Sequence, residues 1–118
     1  TGDDFARTAG KISLINPNEV RFSQSSIKPT FKEGGSINEL AEGLRAGKIN
    51  PESIPPIRVV KINGKLYTLD NRRLEAFRRA GIDIRYRLAT PEEAAAEGWK
   101  FTTKTDGETI FIRGEEQP

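Results

Sequence analysis

The sequence predicts an α+β fold, a small mixed sheet with hairpins and three helices. Apolar residues recur at helical spacing in 37–46 and 70–81, and a third helix start is written at Thr90-Pro91-Glu92-Glu93. Between these stand short β-branched runs, one of them carrying Asn63-Gly64, the strongest short-range signal for a two-residue hairpin. The order of elements lacks the repeated strand–helix–strand rhythm of a doubly wound sheet. With 118 residues and no composition break, one domain is expected over 11–114, with 1–10 as a polar linker and 115–118 as a tail.

Ile12, Leu14 and Val20-Arg21-Phe22 read as short extended pieces around an Asn16-Pro17-Asn18 turn. Phe22-Ser23-Gln24-Ser25-Ser26-Ile27 frames three hydroxyls and an amide between two large apolar anchors; a serine-capped turn is one reading of it and a binding segment the other. Ser36 and Glu39 form a capping-box pattern ahead of Ile37, Leu40, Ala41 and Leu44, so a helix is expected over 37–46, closed by Gly47. Pro51, Pro55 and Pro56 lead irregularly into the strand Ile57–Ile62, and Lys65–Leu69 returns as its hairpin partner.

At Asp70 the period switches from two to about 3.6, so strand runs directly into a helix that Gly81 ends. Residues 82–88 alternate as a half-buried strand should. Thr90, Pro91 and Glu93 combine an N-cap, a proline at the first helical position and a capping-box glutamate, giving a short helix to about Glu97. Trp99–Thr103 and Glu108–Ile112, joined around Asp106-Gly107, are expected to close the chain as a second hairpin, with Trp99 and Phe101 packing the core.

Composition removes several chemistries. Without cysteine there is no disulfide, thiolate metal site or cysteine nucleophile, and without histidine there is no imidazole base or Ser-His-Asp triad. Catalysis would fall to carboxylates, arginine, lysine, tyrosine, hydroxyls, amides or an oxygen-held metal. The formal charge is only +2, but basic residues crowd into 72–87 (Arg72, Arg73, Arg78, Arg79, Arg85, Arg87), while 92–97 and 115–116 are acidic. No apolar run approaches membrane-spanning length and no signal peptide opens the chain, so a soluble domain cut from something larger is expected.

The chemistry concentrates at the corner Leu69-Asp70-Asn71-Arg72-Arg73-Leu74. Asp70 or Asn71 is the natural N-cap, so the first free N–H groups of the helix point out of the corner, where the macrodipole favours an anion. Arg72 and Arg73 occupy that first turn, the wrong end for cations, at a cost of a few tenths to ~1 kcal/mol unless an anion or carboxylate sits there. Arg73 shares a helix side with Ala76, Phe77 and Ala80, at the rim of the buried stripe. A guanidinium held there suits bidentate contact with phosphate oxygens; the alternative is an ion pair with Asp70, Glu75 or Glu42.

These residues also carry a resemblance. Ile54-Pro55-Pro56-Ile57-Arg58-Val59-Val60, the strand Gly64–Asp70 and the helix Asn71–Gly81 together resemble the ParB N-terminal and sulfiredoxin-like fold, over roughly residues 20–90. The resemblance implies a paired-arginine corner that binds nucleotide phosphates or nucleic acid. Phe22–Gln24, Leu69–Leu74 and Phe101–Gly114 further resemble the ParB-like C-terminal domains of bacterial polymorphic toxins, of the contact-dependent inhibition and Rhs types. Sulfiredoxin-like reductase activity needs a cysteine at the corner and is excluded. Partition ParB proteins carry Gly-Glu-Arg-Arg where this chain has Asp70-Asn71-Arg72-Arg73, so their nucleotide-switched clamp is not expected here.

By that resemblance Gln24, Asp70, Asn71, Arg72 and Arg73 line the cleft. Asp70 would hold a divalent cation, with Mg2+ the candidate, or orient water; Asn71 and Gln24 would bind phosphate or a base edge; the arginines would stabilise charge developing on phosphorus. Ser25 belongs to the same hydroxyl segment, and Thr102 and Thr103 would reach the cleft from the last hairpin unless they are simply a β-favouring pair. Arg85, with Arg87, forms a basic strand face that would track a backbone or be solvated. Tyr67 is an acid or stacking group, or a cross-strand core residue.

The leading expectation is a nuclease domain of a bacterial toxin, a monomer by itself. It would be secreted or delivered within a larger protein, act in the target-cell cytoplasm and be neutralised by a cognate immunity protein. The rivals are a non-catalytic nucleic-acid or nucleotide-binding module and a nucleotide-dependent phosphotransferase. Fold-level kinship does not choose among them.

Overall fold

The computed structural model describes residues 11–115; the linker expected at 1–10 and residues 116–118 of the expected tail lie outside the described residues. Strands β1 (Ser13–Ile15), β2 (Arg21–Phe22) and β3 (Ser26–Ile27) come first, then helix α1 (Ile37–Arg45). The hairpin β4 (Ile57–Ile62) and β5 (Lys65–Thr68) leads into α2 (Asn71–Ala80), followed by β6 (Ile84–Leu88), α3 (Pro91–Ala96) and β7 (Phe111–Ile112). The fold is α+β, as the sequence predicts.

The main sheet has five strands in the order β1-β6-β4-β5-β2. It is mixed: β4 runs antiparallel to β5 and parallel to β6, β1 antiparallel to β6, and β2 parallel to β5. Asn63 and Gly64 both have positive φ, 52° and 78°, the type I′ geometry that matches the twist of the flanking strands. Helix starts also form where the sequence places them. Ser36 accepts from the Glu39 N–H, and Thr90 and Glu93 make a reciprocal capping box behind Pro91. Gly81, in the left-handed region, ends α2.

α2 is the centre of the packing. Leu74 and Phe77 enter a cluster with Val20, Phe22, Ile57, Val59 and Ile84 of the strand layer and Leu44 of α1. Ala76 meets a smaller cluster of Ile27, Ile37 and Ile112. The start of α2 is thereby fixed on both flanks, since truncating one buried phenylalanine such as Phe77 costs about 3–5 kcal/mol.

One expectation fails. The second hairpin does not form: Asp106 and Gly107 turn with φ of 55° and 76°, but the chain on either side pairs elsewhere. Residues 98–100 make a 3-10 turn, the N–H groups of Thr102 and Thr103 both donate to the Ser23 carbonyl, and β7 pairs in parallel with β3 as a separate two-stranded sheet. Local alternation over 108–112 describes a strand, and its partner is a segment some 85 residues earlier, which turn chemistry does not encode. Trp99 leaves the core with that hairpin and is 68 % exposed.

Gly107 sits where that terminal segment crosses β2: its carbonyl accepts the Phe22 N–H at 2.9 Å, and a Cβ on it would lie 2.4 Å from the Phe22 oxygen. Gly64 has the same backbone class but open space around it. Gly64→Ala is expected to cost about 1 kcal/mol through strain alone, and Gly107→Ala about 2 kcal/mol or more through strain plus the clash. Urea unfolding midpoints compare the two; equal losses would show that the crossing of Gly107 over β2 contributes nothing.

Candidate functional site at the start of helix α2

β5 passes into α2 without a loop, and polar side chains replace the ladder at the corner. The Leu69 N–H donates to the Arg58 carbonyl at 2.8 Å and the Asp70 N–H to Thr68 Oγ1 at 2.8 Å. Asp70 then extends the ladder with its side chain, Oδ2 accepting the Arg58 backbone N–H at 2.8 Å and Nε at 3.1 Å. Oδ1 takes Arg58 Nη2 at 2.8 Å and Arg73 Nη2 at 2.9 Å. Burial would raise the Asp70 pKa, but the Arg58 hydrogen bonds and the Arg73 charge outweigh it and hold the carboxylate below its usual range. The hydrogen bond to Asp70 likewise holds Arg58 above its ordinary value.

The network continues into the residues after α3. Arg58 pairs with Glu97, and Lys100 bonds Glu97 at 2.6 Å and the Leu69 carbonyl at 2.8 Å. Arg87 grips Glu93 through both nitrogens at 2.8 and 2.7 Å, which with the Thr90 N–H lowers the Glu93 pKa to about 2.

Because Asp70 faces Arg58, it makes no side-chain cap on α2. The N–H groups of the first turn, from Asn71 to Arg73, have no intrahelical acceptor, and the helix presents an open, positive N-terminus. The two arginines of that turn differ. Arg73 is tied to Asp70 and to the carbonyls of Pro55 at 2.9 Å and Pro56 at 3.3 Å, the ion pair that the sequence allows as an alternative to phosphate binding. Arg72 donates to the Thr30 carbonyl at 2.7 Å and has no carboxylate partner among the described residues. Arg72 is therefore the freer cation.

The corner opens into a cleft of about 360 Å³. Gln24 and residues 69–73 form one wall; Phe31, Lys32, Glu33, Arg58, Trp99 and Lys100 form the others. Five cations thus face two carboxylates, Asp70 and Glu33, and Asp70 is already engaged. Gln24 reaches the corner through Asn71, which is buried: Asn71 Oδ1 accepts the Ser23 N–H at 2.9 Å, and its Nδ2 donates to Ser23 Oγ and to Gln24 Oε1, both at 3.0 Å. Asn71 acts there as a strut between the 23–24 segment and the helix start.

Other candidates lie outside the lining of this cleft. Thr102 Oγ1 accepts the Ser25 N–H at 3.0 Å, and Thr103 Oγ1 accepts the Gly107 N–H at 2.8 Å, so these hydroxyls brace the neighbouring segments. Arg85 donates to the carbonyls of Glu52 and Ile54. Tyr67 is buried beside the Phe101 ring, its hydroxyl donating to Asp106, which raises the phenol's pKa. Sequence reasoning missed Arg58, Lys100, Lys32 and Trp99. A charged residue inside the β-branched run 57–62, two positions after Pro56, was the available signal for Arg58; the others are placed by long-range packing.

For a protein-held cation the donors do not fit. Among the described residues no group of three or more acidic, histidine or cysteine side chains is arranged to hold a metal ion, and both Asp70 oxygens are occupied by guanidinium groups. No helix among them is long and apolar enough to cross a membrane.

Among solved structures the chain is similar to the C-terminally truncated chromosome-partitioning protein ParB from Caulobacter crescentus complexed with CTP-gamma-S, with a TM-score of 0.55 and 18% identity. The match covers 77% of this chain and 51% of that one, so the chain spans about half the length of its neighbour. The fold is ParB-like. No family model matches the sequence, and no curated protein matches it.

Two outcomes follow from this geometry. Asp70→Asn is expected to lower stability by about 3 kcal/mol or more in denaturant unfolding, since it strips the charge from a nearly buried carboxylate that two guanidinium groups face; a residue with a purely catalytic role would leave stability unchanged. The Glu93 pKa is depressed from 4.5 to about 2, so its contribution is complete above pH 4.5 and is lost as pH falls toward 2. The gap in melting temperature between wild type and Glu93→Gln should be widest above pH 4.5 and close on acidification. A gap that persists at pH 2 would show that the Arg87–Glu93 pair adds no charge-dependent stability.

Proposed function

We propose that this domain binds the phosphodiester backbone of nucleic acid at the start of α2 and cleaves it, as the nuclease domain of a bacterial toxin. The observation that carries the binding is the open N-terminus of α2 beside Arg72, a guanidinium without a carboxylate partner, at the wall of a cleft with an excess of cations. A phosphate there would accept from the free amides and from the Arg72 fork, which removes the dipole penalty of a cation in the first turn. Lys32, on the wall formed by the 28–36 loop, and Gln24 supply further donors. Similarity of fold to a ParB protein crystallised with a CTP analogue is consistent with a phosphate-rich ligand at this corner.

For cleavage these donors would stabilise the charge that builds on the equatorial oxygens of a pentavalent phosphorus. Asp70 would keep the arginine frame in place. Delivery within a larger bacterial protein and neutralisation by an immunity protein follow from the toxin-domain resemblance and belong to this proposal. A second reading, binding without cleavage, is favoured by one specific feature: Asp70, the carboxylate at the corner itself, is pinned by Arg58 and Arg73 and held below its usual range, so it is a poor proton acceptor.

Incubation of the purified protein with plasmid DNA and total RNA, with and without Mg2+, separates the two readings. Arg72→Ala is expected to weaken binding by about ten- to a hundredfold, the worth of a charge-assisted hydrogen bond, and to abolish any cleavage. Binding that survives unchanged in Arg72→Ala would overturn the site. Binding that is lost in Arg72→Ala while the wild type leaves its substrates intact would establish the second reading.

A further inference from the structure

We infer that the α2 cleft is one end of a longer track for single-stranded nucleic acid, which passes Trp99 and continues into a second groove bounded by Lys28 and Arg113. The inference rests on the phosphate-binding reading of the α2 corner and names the form of its substrate.

A groove of about 410 Å³ adjoins the first cleft, and the two share Gln24, Phe31, Lys32, Arg72 and Trp99. The second adds Lys28, Thr30 and Arg113 along its length. The cations of the two grooves divide sharply by partner. Arg58, Arg73 and Lys100 in the first cleft are each neutralised by a carboxylate. Lys28, Lys32, Arg72 and Arg113 have no carboxylate at ion-pairing distance among the described residues; Arg113 bonds only the Ser26 hydroxyl and Arg72 only the Thr30 carbonyl. Among the cations that line the two grooves, those without a carboxylate partner thus run from the α2 start out through the second groove. Successive phosphates of a chain need cations arranged in that way.

At the junction stands Trp99, the single tryptophan of the chain and 68 % exposed. The indole lies outside both apolar clusters, so core packing does not account for its position. An exposed aromatic face between cationic grooves is what a splayed base stacks on, and only an unpaired base has a free face to offer. The bases of a duplex are stacked on one another, which leaves it the phosphates alone. The loop that carries Phe31 and Lys32 over the junction is closed by the Thr30–Ser36 bridge and by the Phe31 N–H on the Gly35 carbonyl at 3.0 Å, so its donors are positioned before a ligand arrives.

Trp99 is its own reporter. Titration of the wild-type protein with single-stranded DNA and single-stranded RNA of about twelve nucleotides, long enough to fill both grooves, should quench its emission, and both should bind more tightly than duplex of equal length. Trp99→Ala, followed by the anisotropy of an end-labelled strand since the variant has no tryptophan emission, should weaken single-strand binding by about tenfold and duplex binding much less. Arg113→Gln should lower the slope of log affinity against log salt by about 0.7, one single-strand phosphate contact. Equal or tighter duplex binding, unquenched emission, or an unchanged salt slope would overturn the track. If binding in that case still depends on Arg72, the α2 phosphate site stands alone; if no nucleic acid binds, both readings fall.

Discussion

Everything in this site depends on how one nearly buried carboxylate is neutralised. Taking Asp70 out of water costs several kcal/mol, and it is offset only because a backbone N–H and two guanidinium groups converge on its two oxygens. Those partners come from β4 and from the first turn of α2, with Glu97 reaching the same Arg58 from the chain beyond α3. The carboxylate therefore sets the angle at which strand becomes helix. It also decides what remains open: an aspartate at this position ordinarily caps its own helix, and here it turns to Arg58 and leaves the amides of α2 free.

The same economy of charge explains the unequal arginines. Arg73 completes the neutralisation of Asp70 and hangs on the carbonyls of two prolines, whose place in the chain before β4 makes them rigid acceptors. Arg72, one position earlier, points to the loop side and meets only a carbonyl. A pair of adjacent cations thus splits into one that holds the frame and one with donors to spare. Asn71 completes the division. Its neutral amide both accepts and donates, which lets it join the 23–24 segment to α2 with no further charge to neutralise.

The elements that the sequence discloses are those written in local chemistry. Ser36, Thr90-Pro91 and Gly81 mark helix ends through bonds within four residues, and Asn63-Gly64 needs only positive φ; all form as expected. Gln24 Oε1 accepts from the Asn71 amide at the corner, and the struts that join the two segments are visible only in three dimensions. The failures share a cause. Asp106-Gly107 has turn chemistry as good as Asn63-Gly64, yet Phe111 and Ile112 find Ser26 and Ile27, and once they do, Trp99 and Thr102 have no hairpin to belong to. Pairing across such a separation is decided by burial of Ile27 and Ile112 against Ala76 and Ile37, information that no short window contains.

The ionic character of the site follows from the same residues. With nineteen basic and seventeen acidic side chains the molecule has almost no net field to steer a polyanion from a distance, so attraction must arise at contact. The ion pairs of the corner cannot supply it, since Arg58 and Arg73 are already neutralised. It falls to the cleft cations that lack carboxylates, Lys32 and Arg72. These are arginine and lysine, and the perturbed groups around them move away from neutrality, Asp70 downward and Arg58 upward. Histidine, the side chain whose ordinary charge change falls near neutrality, is absent from the sequence. The carboxylate at the corner itself, Asp70, is engaged by two guanidinium groups and is a poor proton acceptor. What the site offers a phosphate is a fixed array of donors, and any chemistry it performs has to come from how closely that array fits the charge of the reacting group.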